Sequence, residues 1–404
     1  VQNSQVQRRV AITCFAAMMV SSPAVLSINP LVLTPIAEEF GWGRSAVSAG
    51  YLVAAPVMAG MYLAIGPAID RWGARRIVVP GVVAFAISLL AMTLLTGSVA
   101  QFLLIRGITA VAASFVTGIA FGKIVSSHFT TNRGLLLGIC LGLGSGLGMV
   151  LLPIAGAPLL AAEGWRAVYL GAAVVTLVIG LPAALLLPDD RPARMAPGEQ
   201  RPVQASARSF LDSGTYRFLL GSTFLGFAAV NGVIAHLVAI GTDRGLTAAD
   251  GAVALSFYAA AMMSGQFAIG PLLDRLPTAR VGAVGFVLLG LGILAIMGGQ
   301  TRLALLGSAT LIGLGSGTQS GLLPYVLPRF FGLPSFGTLY AWIFSAAALG
   351  AGAGPFIMGW VFDEAHSYAG ALAANLLIAA ALAAAMLLLP GYRFQPDGRT
   401  LPSA

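Results

Sequence analysis

The chain has 404 residues, 58% of them hydrophobic and only 9% charged, with a formal net charge of +8 and a mean hydropathy of +0.90. A soluble domain carries roughly a quarter charged residues, and no water-soluble fold of this size hides so much apolar surface. Composition therefore excludes a soluble enzyme or binding module and makes the bilayer the solvent for much of the chain.

A spanning helix takes about 20 mostly apolar residues. Taken in chain order, such stretches lie near 10–36, 45–68, 77–97, 101–125, 134–160, 165–188, 215–240, 250–271, 280–299, 301–325, 336–360 and 368–390. They are too long for barrel strands, which alternate over shorter segments. The first follows Arg8-Arg9 and imitates a secretory signal, but it stays apolar past Leu33 and is read as a span. Cys14 and Cys140 fall inside spans and read as buried free thiols. A polar segment rich in Pro, Arg and Ser runs from about Asp189 to Thr215. The reading is an all-α membrane protein of twelve transmembrane helices: a six-helix bundle over 1–188, a cytoplasmic linker over 189–214 and a second six-helix bundle over 215–404.

The placement of charge argues against nucleic acid as a partner. With both termini inside, the inner segments hold most of the arginines, among them Arg8, Arg9, Arg71, Arg75, Arg76, Arg133, Arg275 and Arg329, while the outer loops hold Arg44, Arg166, Arg244 and Arg302. That asymmetry orients the protein with cytoplasmic termini. Every Asp and Glu falls in a loop or at a helix end, so no carboxylate lies at membrane depth. Apart from tyrosines, the ionisable groups within spans are Arg106, Lys123 and His236. A charge in hydrocarbon costs at least about 2.5–3.5 kcal/mol, so it faces a cavity or a partner. Two cations without an acid point to an anionic substrate that supplies the missing charge, and Arg grips a carboxylate with two parallel hydrogen bonds. His128, His236 and His366 lie at different depths or on loops and make no metal site, and no cofactor is expected. Gly142, Gly144, Gly146 and Gly148 imitate a nucleotide loop, as do Gly313, Gly315 and Gly317, but both runs lie within apolar helices and read as close packing.

The chain also repeats itself. Gly66-Pro67-Ala68-Ile69-Asp70-Arg71 returns as Gly270-Pro271-Leu272-Leu273-Asp274-Arg275, half a chain later. Internal repeats of this kind mark transporters whose substrate site lies at the repeat interface. The run from Gly66 through Asp70, Arg71 and Gly73 to Arg75 and Arg76 resembles the signature of the major facilitator superfamily between its second and third helices. Arg106 resembles the family's second signature, although the glycine usual four residues later is Ala110. Phe40-Gly41-Trp42-Gly43-Arg44-Ser45, Asn132-Arg133-Gly134, Gly164-Trp165-Arg166 and Arg329-Phe330-Phe331-Gly332 resemble the monocarboxylate-carrier branch and its bacterial relatives. Two departures stand out. The branch's arginine in the eighth helix is Gln266 here, and the tenth helix reads Thr318-Gln319-Ser320-Gly321 without an acid.

The resemblance implies two bundles around a central cavity lined by the first, fourth, seventh and tenth helices. Counting depth places Arg106, Asn29, Asn231 and His236 in the outer half, and counting faces puts Thr117 on the Arg106 face and Tyr258 on the Gln266 face; with Lys123, Gln266 and Gln319 these are the candidate substrate contacts, save His236, which titrates near neutrality and is the candidate proton-coupling group. The resemblance also implies a gating role for Gly66, Asp70, Arg71, Gly73, Arg75, Arg76, Asp274 and Arg275. The bland reading of the amides and of Arg106 is interhelical hydrogen bonding, and Lys123 reaching the inner headgroups is the bland reading of that residue. The expected function is secondary transport of a small organic anion, a monocarboxylate above all, by a monomer in a bacterial inner membrane. Protons or a counter-transported anion would serve as the coupling species. An exporter of hydrophobic compounds is the alternative, though Gly148-Met149-Val150-Leu151-Leu152-Pro153 departs from the glycine–proline run of drug antiporters. A non-transporting membrane sensor would carry an appended soluble domain or signalling tail, which this sequence does not show.

Overall fold

The computed structural model describes residues 4–129, 136–188, 210, 212–276, 278–331 and 336–392, less the side chains at 4–6, 66, 67, 70, 119, 123, 126, 127, 270, 271, 274 and 336–338. Helices occupy each of the twelve expected spans, and no strand occurs among the described residues. The first span, α1, comes in three pieces: Ser4–Met19, Ser22–Leu26 and Asn29–Phe40. Then follow α2 (Arg44–Trp72), α3 (Ala74–Thr93) and α4, which is broken into Val99–Ser114 and Gly118–His128. Helix α5 (138–163) opens with a π-turn at Gly138–Leu143, and a positive φ of 79° at Gly164 separates it from α6 (165–185). The second half holds α7 (Gly214–Thr242), α8 (Ala248–Arg275), α9 (Ala279–Gly298), α10 (Arg302–Phe331), α11 (Phe336–Ala365) and α12 (Ala369–Leu387).

Each set of six has its own apolar core. One is built from residues between Val10 and Leu187, around Phe85, Phe102 and Phe121. The other lies mainly between Tyr216 and Leu389, around Phe286, Ile293 and Ile312. The segment 189–209 that would link them lies outside the described residues. The two halves meet along α2 with α11, α5 with α8, and the last piece of α1 with α7.

Lipid tails are as apolar as leucine, so helices associate in a bilayer through tight packing and small residues rather than through expulsion of water. The two glycine runs are such contacts. A Cβ at Gly148 of α5 would fall on the Met19 carbonyl of α1, and one at Gly144 would sit 3.0 Å from the Phe15 carbonyl. Gly313 and Gly317 of α10 lie as closely on the Tyr258 and Met262 carbonyls of α8. Cys14 and Cys140 are buried and form no disulfide.

Both ends of the bundle are defined by these elements. Arg44, Asp243, Asp363 and Tyr368 lie at one end, here the Arg44 face. Gly73 lies at the other, where its positive φ of 84° turns α2 into α3.

Close approach at Gly317 makes a sharp stability test. Gly317→Leu should cost about 1–3 kcal/mol, the usual range for overpacking, because its Cβ meets the Met262 carbonyl and lies 2.8 Å from the Gln266 nitrogen. Gly307→Leu, on the same helix with nothing within 4 Å, should leave the apparent melting temperature in detergent near that of the parent. Equal losses at the two positions would count against packing as the role of this glycine face.

Candidate functional site

Two helices are broken at the same level. Ser21 is extended, with ψ 161°, and Pro23 and Pro30 open the second and third pieces of α1. Proline starts a helix well, because its missing N–H would be unpaired there anyway. In α4 the break follows Ser114, with Thr117 extended before the second piece. The two breaks are tied together: the Ser22 N–H donates to the Val116 carbonyl at 3.0 Å. Irregular backbone at membrane depth is tolerated only where it is buried in protein or lines a cavity.

A cavity of about 370 Å³ lies beside these breaks, between the halves. From the first half it takes Ser22, Asn29 and Arg106, with Tyr51, Met58 and Tyr62 of α2 and Met149 of α5. From the second it takes Phe227 and Asn231 of α7, Tyr258 of α8 and Phe344 of α11, besides alanines of α11. Arg106 is the only Lys, Arg, His, Asp or Glu among the described lining residues.

Arg106 is 6% exposed. Its Nη1 donates to Asn29 Oδ1 at 3.3 Å, and the same oxygen accepts the Tyr169 hydroxyl at 3.0 Å. The guanidinium lies 5.3 Å from the centre of the Tyr51 ring. Its Nε has no partner, nor does the buried Tyr51 hydroxyl. None of the salt bridges among the described residues reaches Arg106. Gly50 makes the room: a Cβ there would stand 2.9 Å from Arg106 Nε.

Of the residues singled out in the sequence, Asn29, Arg106, Asn231 and Tyr258 meet at the cavity. Asn231 Nδ2 donates to the Phe227 carbonyl at 2.9 Å, which leaves its Oδ1 toward other partners. The rest lie elsewhere. Thr117 is buried and donates to the Ser114 carbonyl. Gln319 is buried beside Gly226 and Gly285, between α10, α7 and α9, with its Nε2 unpartnered. Gln266 is exposed. Gly66, Lys123, Asp70 and Asp274 fall where side chains lie outside the described residues, while Arg71, Arg76 and Arg275 are exposed and Arg75 is half-buried. Tyr51, Tyr62 and Phe344 escaped the sequence reading. The available signal was the spacing of Tyr51 and Tyr62 on α2, three turns apart on one face, in a helix where apolar residues surround them on every side.

His236 is fully buried and stands outside the cavity, within a polar clasp that closes the Arg44 face. Arg44 makes a bidentate pair with Asp243, at 2.7 Å for each bond, and donates to the Tyr368 hydroxyl at 2.7 Å. The Asp363 carboxylate of α11 accepts the backbone N–H groups of Arg44 and Ser45 at 2.8 and 2.9 Å, so the second half caps the first turn of α2. Gly43 has no Cβ to block that carboxylate. Gly41, at φ 65°, ends α1 and lets the Trp42 N–H reach the Ala37 carbonyl. The motif around Arg44 is thus a turn, a gap and an interdomain ligand in succession.

The chain of donors continues inward. Tyr368 lies 2.8 Å from His236 Nδ1, and His236 Nε2 lies 2.9 Å from the Pro355 carbonyl and 3.2 Å from Ser48 Oγ of α2. A carbonyl only accepts, so Nε2 carries the hydrogen and Nδ1 accepts from the tyrosine, an assignment drawn from the available donors. Burial pushes the Tyr368 phenol above its usual range against the pull of Arg44, which keeps it a neutral donor. On the same face Glu39 accepts from Arg166 at 2.6 Å and from Trp165 Nε1 at 2.6 Å, within the first half.

Twelve spans in two packed sets around a central cavity form the architecture of a polytopic carrier, and sequence comparison agrees. The family model for the Major Facilitator Superfamily matches residues 10–276 and 218–402, so the chain belongs to that superfamily. It is 28% identical over 380 residues to monocarboxylate transporter 11 of Homo sapiens, covering 89% of this chain and 78% of that one. It is 25% identical to the 4-hydroxybenzoate transporter PcaK of Pseudomonas aeruginosa, over 98% and 94% of the two chains. Half of the chain, and 48% of the relative, align at 28% identity with the multidrug transporter MdfA of Edwardsiella ictaluri. The crystal structure of the nucleoside transporter NupG superposes with a TM-score of 0.77 at 14% identity, over 95% and 99% of the chains, which is a likeness of fold.

The clasp gives a direct test. Asp363→Ala removes the acceptor for two α2 amides and should loosen the Arg44 face. A reporter cysteine from Ser48→Cys, buried beside His236, should then react several-fold faster with a membrane-impermeant maleimide. Unchanged labelling would show that the Asp363 contacts do not hold this face shut.

Proposed function

We propose that this chain is a secondary transporter that carries a small organic anion, a monocarboxylate, across a bacterial inner membrane by alternating access. The observation that carries this reading is Arg106: a buried guanidinium on a cavity wall between the two halves, with an unpartnered Nε and no carboxylate partner among the described residues. An unpaired buried charge is expensive, and a bound carboxylate would supply both the counter-charge and the acceptors. The monocarboxylate and 4-hydroxybenzoate transporters among the relatives support the same chemistry. Export of hydrophobic compounds has support in the apolar cavity walls and in the MdfA match, but it leaves Arg106 without a role.

The two halves, 1–188 and 215–404 with the linker 189–214, are the units that rock. The Gly73 face is cytoplasmic under the arginine asymmetry. The first piece of α1 packs on α4, α5 and α6 of its own half, whereas the last piece packs on α7 of the other as well as on its own half. That supports a state closed by the clasp outside and parted within. The loop of Asp70, Arg71, Gly73, Arg75 and Arg76, with its counterpart at Asp274 and Arg275, forms the opposing latch when the cytoplasmic side closes. His236 is the coupling group: a proton on Nδ1 takes away the acceptor of the Tyr368 hydroxyl hydrogen and sets a second cation near Arg44, so protonation and the clasp oppose one another.

In a thermal-shift series on the purified protein, a ligand of the native state raises the apparent melting temperature by mass action. Carboxylates should stabilise the parent, and Arg106→Gln should weaken their binding roughly 10–100-fold, as for loss of a charged hydrogen bond. Stabilisation by neutral or cationic hydrophobes alone would replace this reading with the exporter. For coupling, His236→Gln should abolish proton-driven accumulation in vesicles while leaving exchange of substrate across the membrane. Accumulation at the parental rate would remove His236 from the mechanism.

A further inference from the structure

The same cavity also restricts which carboxylate it takes. Its volume, about 370 Å³, lies at the low end of the ~300–1,000 Å³ found for sites of drug-sized ligands. A short-chain acid would leave most of it empty or wet, against walls that offer water few partners. Between alanines and aliphatic side chains, those walls carry aromatic and thioether groups, among them Met58, Tyr62, Met149, Phe227 and Phe344. Tyr62 and Phe344 meet edge to face across the seam between halves, with centroids 6.4 Å apart. Aromatic faces and methionine sulfur favour another ring as their contact.

Charge restricts the cargo further. Arg106 is the single formal charge on the described lining, so a second carboxylate on the ligand would be buried without a counter-charge. Beside Arg106 the Tyr51 hydroxyl is also buried and unpartnered, and both side chains line the cavity. Asn29 Oδ1 is occupied by Arg106 and Tyr169. Two donors, one charged and one neutral, are therefore left unpartnered behind one wall, closed to solvent in this state, and a carboxylate has two oxygens to receive them once the two side chains turn to it.

We infer that the cargo is an aromatic monocarboxylate, bound with its carboxylate on Arg106 and the Tyr51 hydroxyl and its ring between Met58, Tyr62 and Phe344. This rests on the anion reading above and adds the size of the acid, its single charge and the role of Tyr51 as a specificity-determining residue.

The experiment is isothermal titration of the full chain in detergent with phenylacetate, lactate, phthalate and phenylacetamide, on the parent, Tyr51→Phe and Arg106→Gln. Phenylacetate should bind at least ten-fold more tightly than lactate, phthalate and the neutral amide, an order measured on the unaltered chain. Tyr51→Phe keeps the ring and removes one donor, so it should weaken phenylacetate about ten-fold with the unliganded melting temperature unchanged. Lactate or phthalate binding as tightly as phenylacetate, or no loss in Tyr51→Phe, would overturn this inference and leave the anion reading intact. Binding of phenylacetate that survives Arg106→Gln, or an amide that binds as well as the acid, would overturn the anion reading itself.

Discussion

A guanidinium held in a protein interior inside a bilayer, with no carboxylate among the described residues to meet it, is the constraint around which this structure is arranged. The surroundings of Arg106 must make that charge tolerable. Gly50 lets the side chain lie along α2, the Tyr51 ring offers it an aromatic neighbour, and Asn29 gives it one acceptor. Asn29 is available because α1 breaks and restarts there, with Pro30 fixing the new piece. The break in turn is stabilised by its neighbour in α4 through Ser22 and Val116. Sequence irregularity, backbone irregularity and charge burial converge on one wall of one cavity.

That wall belongs to the seam between the halves. Tyr51 and Ala55 of α2 lie against Gly352 of α11, the Arg44–Ser45 backbone lies against Gly359, and Asp363 caps α2 from the far half. Glycine at these crossings removes the knobs that would lock two helices in one register, while the clasp adds polar contacts that can be made and unmade. Exposed ion pairs contribute about 0–1 kcal/mol each. The Arg44–Asp243 pair is partly withdrawn from solvent and joins a network through Tyr368 to His236. Such a network holds a face closed without making the closure irreversible.

Most of the fold was legible because the bilayer imposes its own grammar: apolar runs of fixed length, arginines on one side, and a repeat half a chain apart. The site was legible in part. Asn29, Arg106 and Asn231 stood out as polar groups in apolar helices, and they do line the cavity. Thr117, Gln319 and His236 stood out for the same reason but lie in packing or in the clasp. Depth can be counted along a helix, whereas rotation about its axis depends on neighbours that a single sequence does not reveal. Breaks in α1 and α4 also reset the helical phase, so a face counted from Arg106 fails beyond Ser114, which is where Thr117 lies. Tyr51 was missed for the opposite reason, since a tyrosine in an apolar helix looks like ordinary core. The loop motifs gave a family resemblance without their mechanics, because the partners of Gly43 and Arg44 lie some two hundred and three hundred residues away.

Charge at the cavity also bears on why an empty carrier would resist cycling. Under the proposed alternating access, the halves close over Arg106 from the other side, and closure removes whatever water still reaches the guanidinium. Without a ligand that step buries a bare cation more deeply, at a cost of several kcal/mol. With a monoanion bound, the pair is neutral and its oxygens occupy the orphan donors of Arg106 and Tyr51, so the same step buries no net charge. A dicarboxylate restores a net charge of opposite sign and meets the same penalty. Under the anion reading, recognition and prevention of empty turnover are one electrostatic term, placed on α4 and read by the seam between α2 and α11.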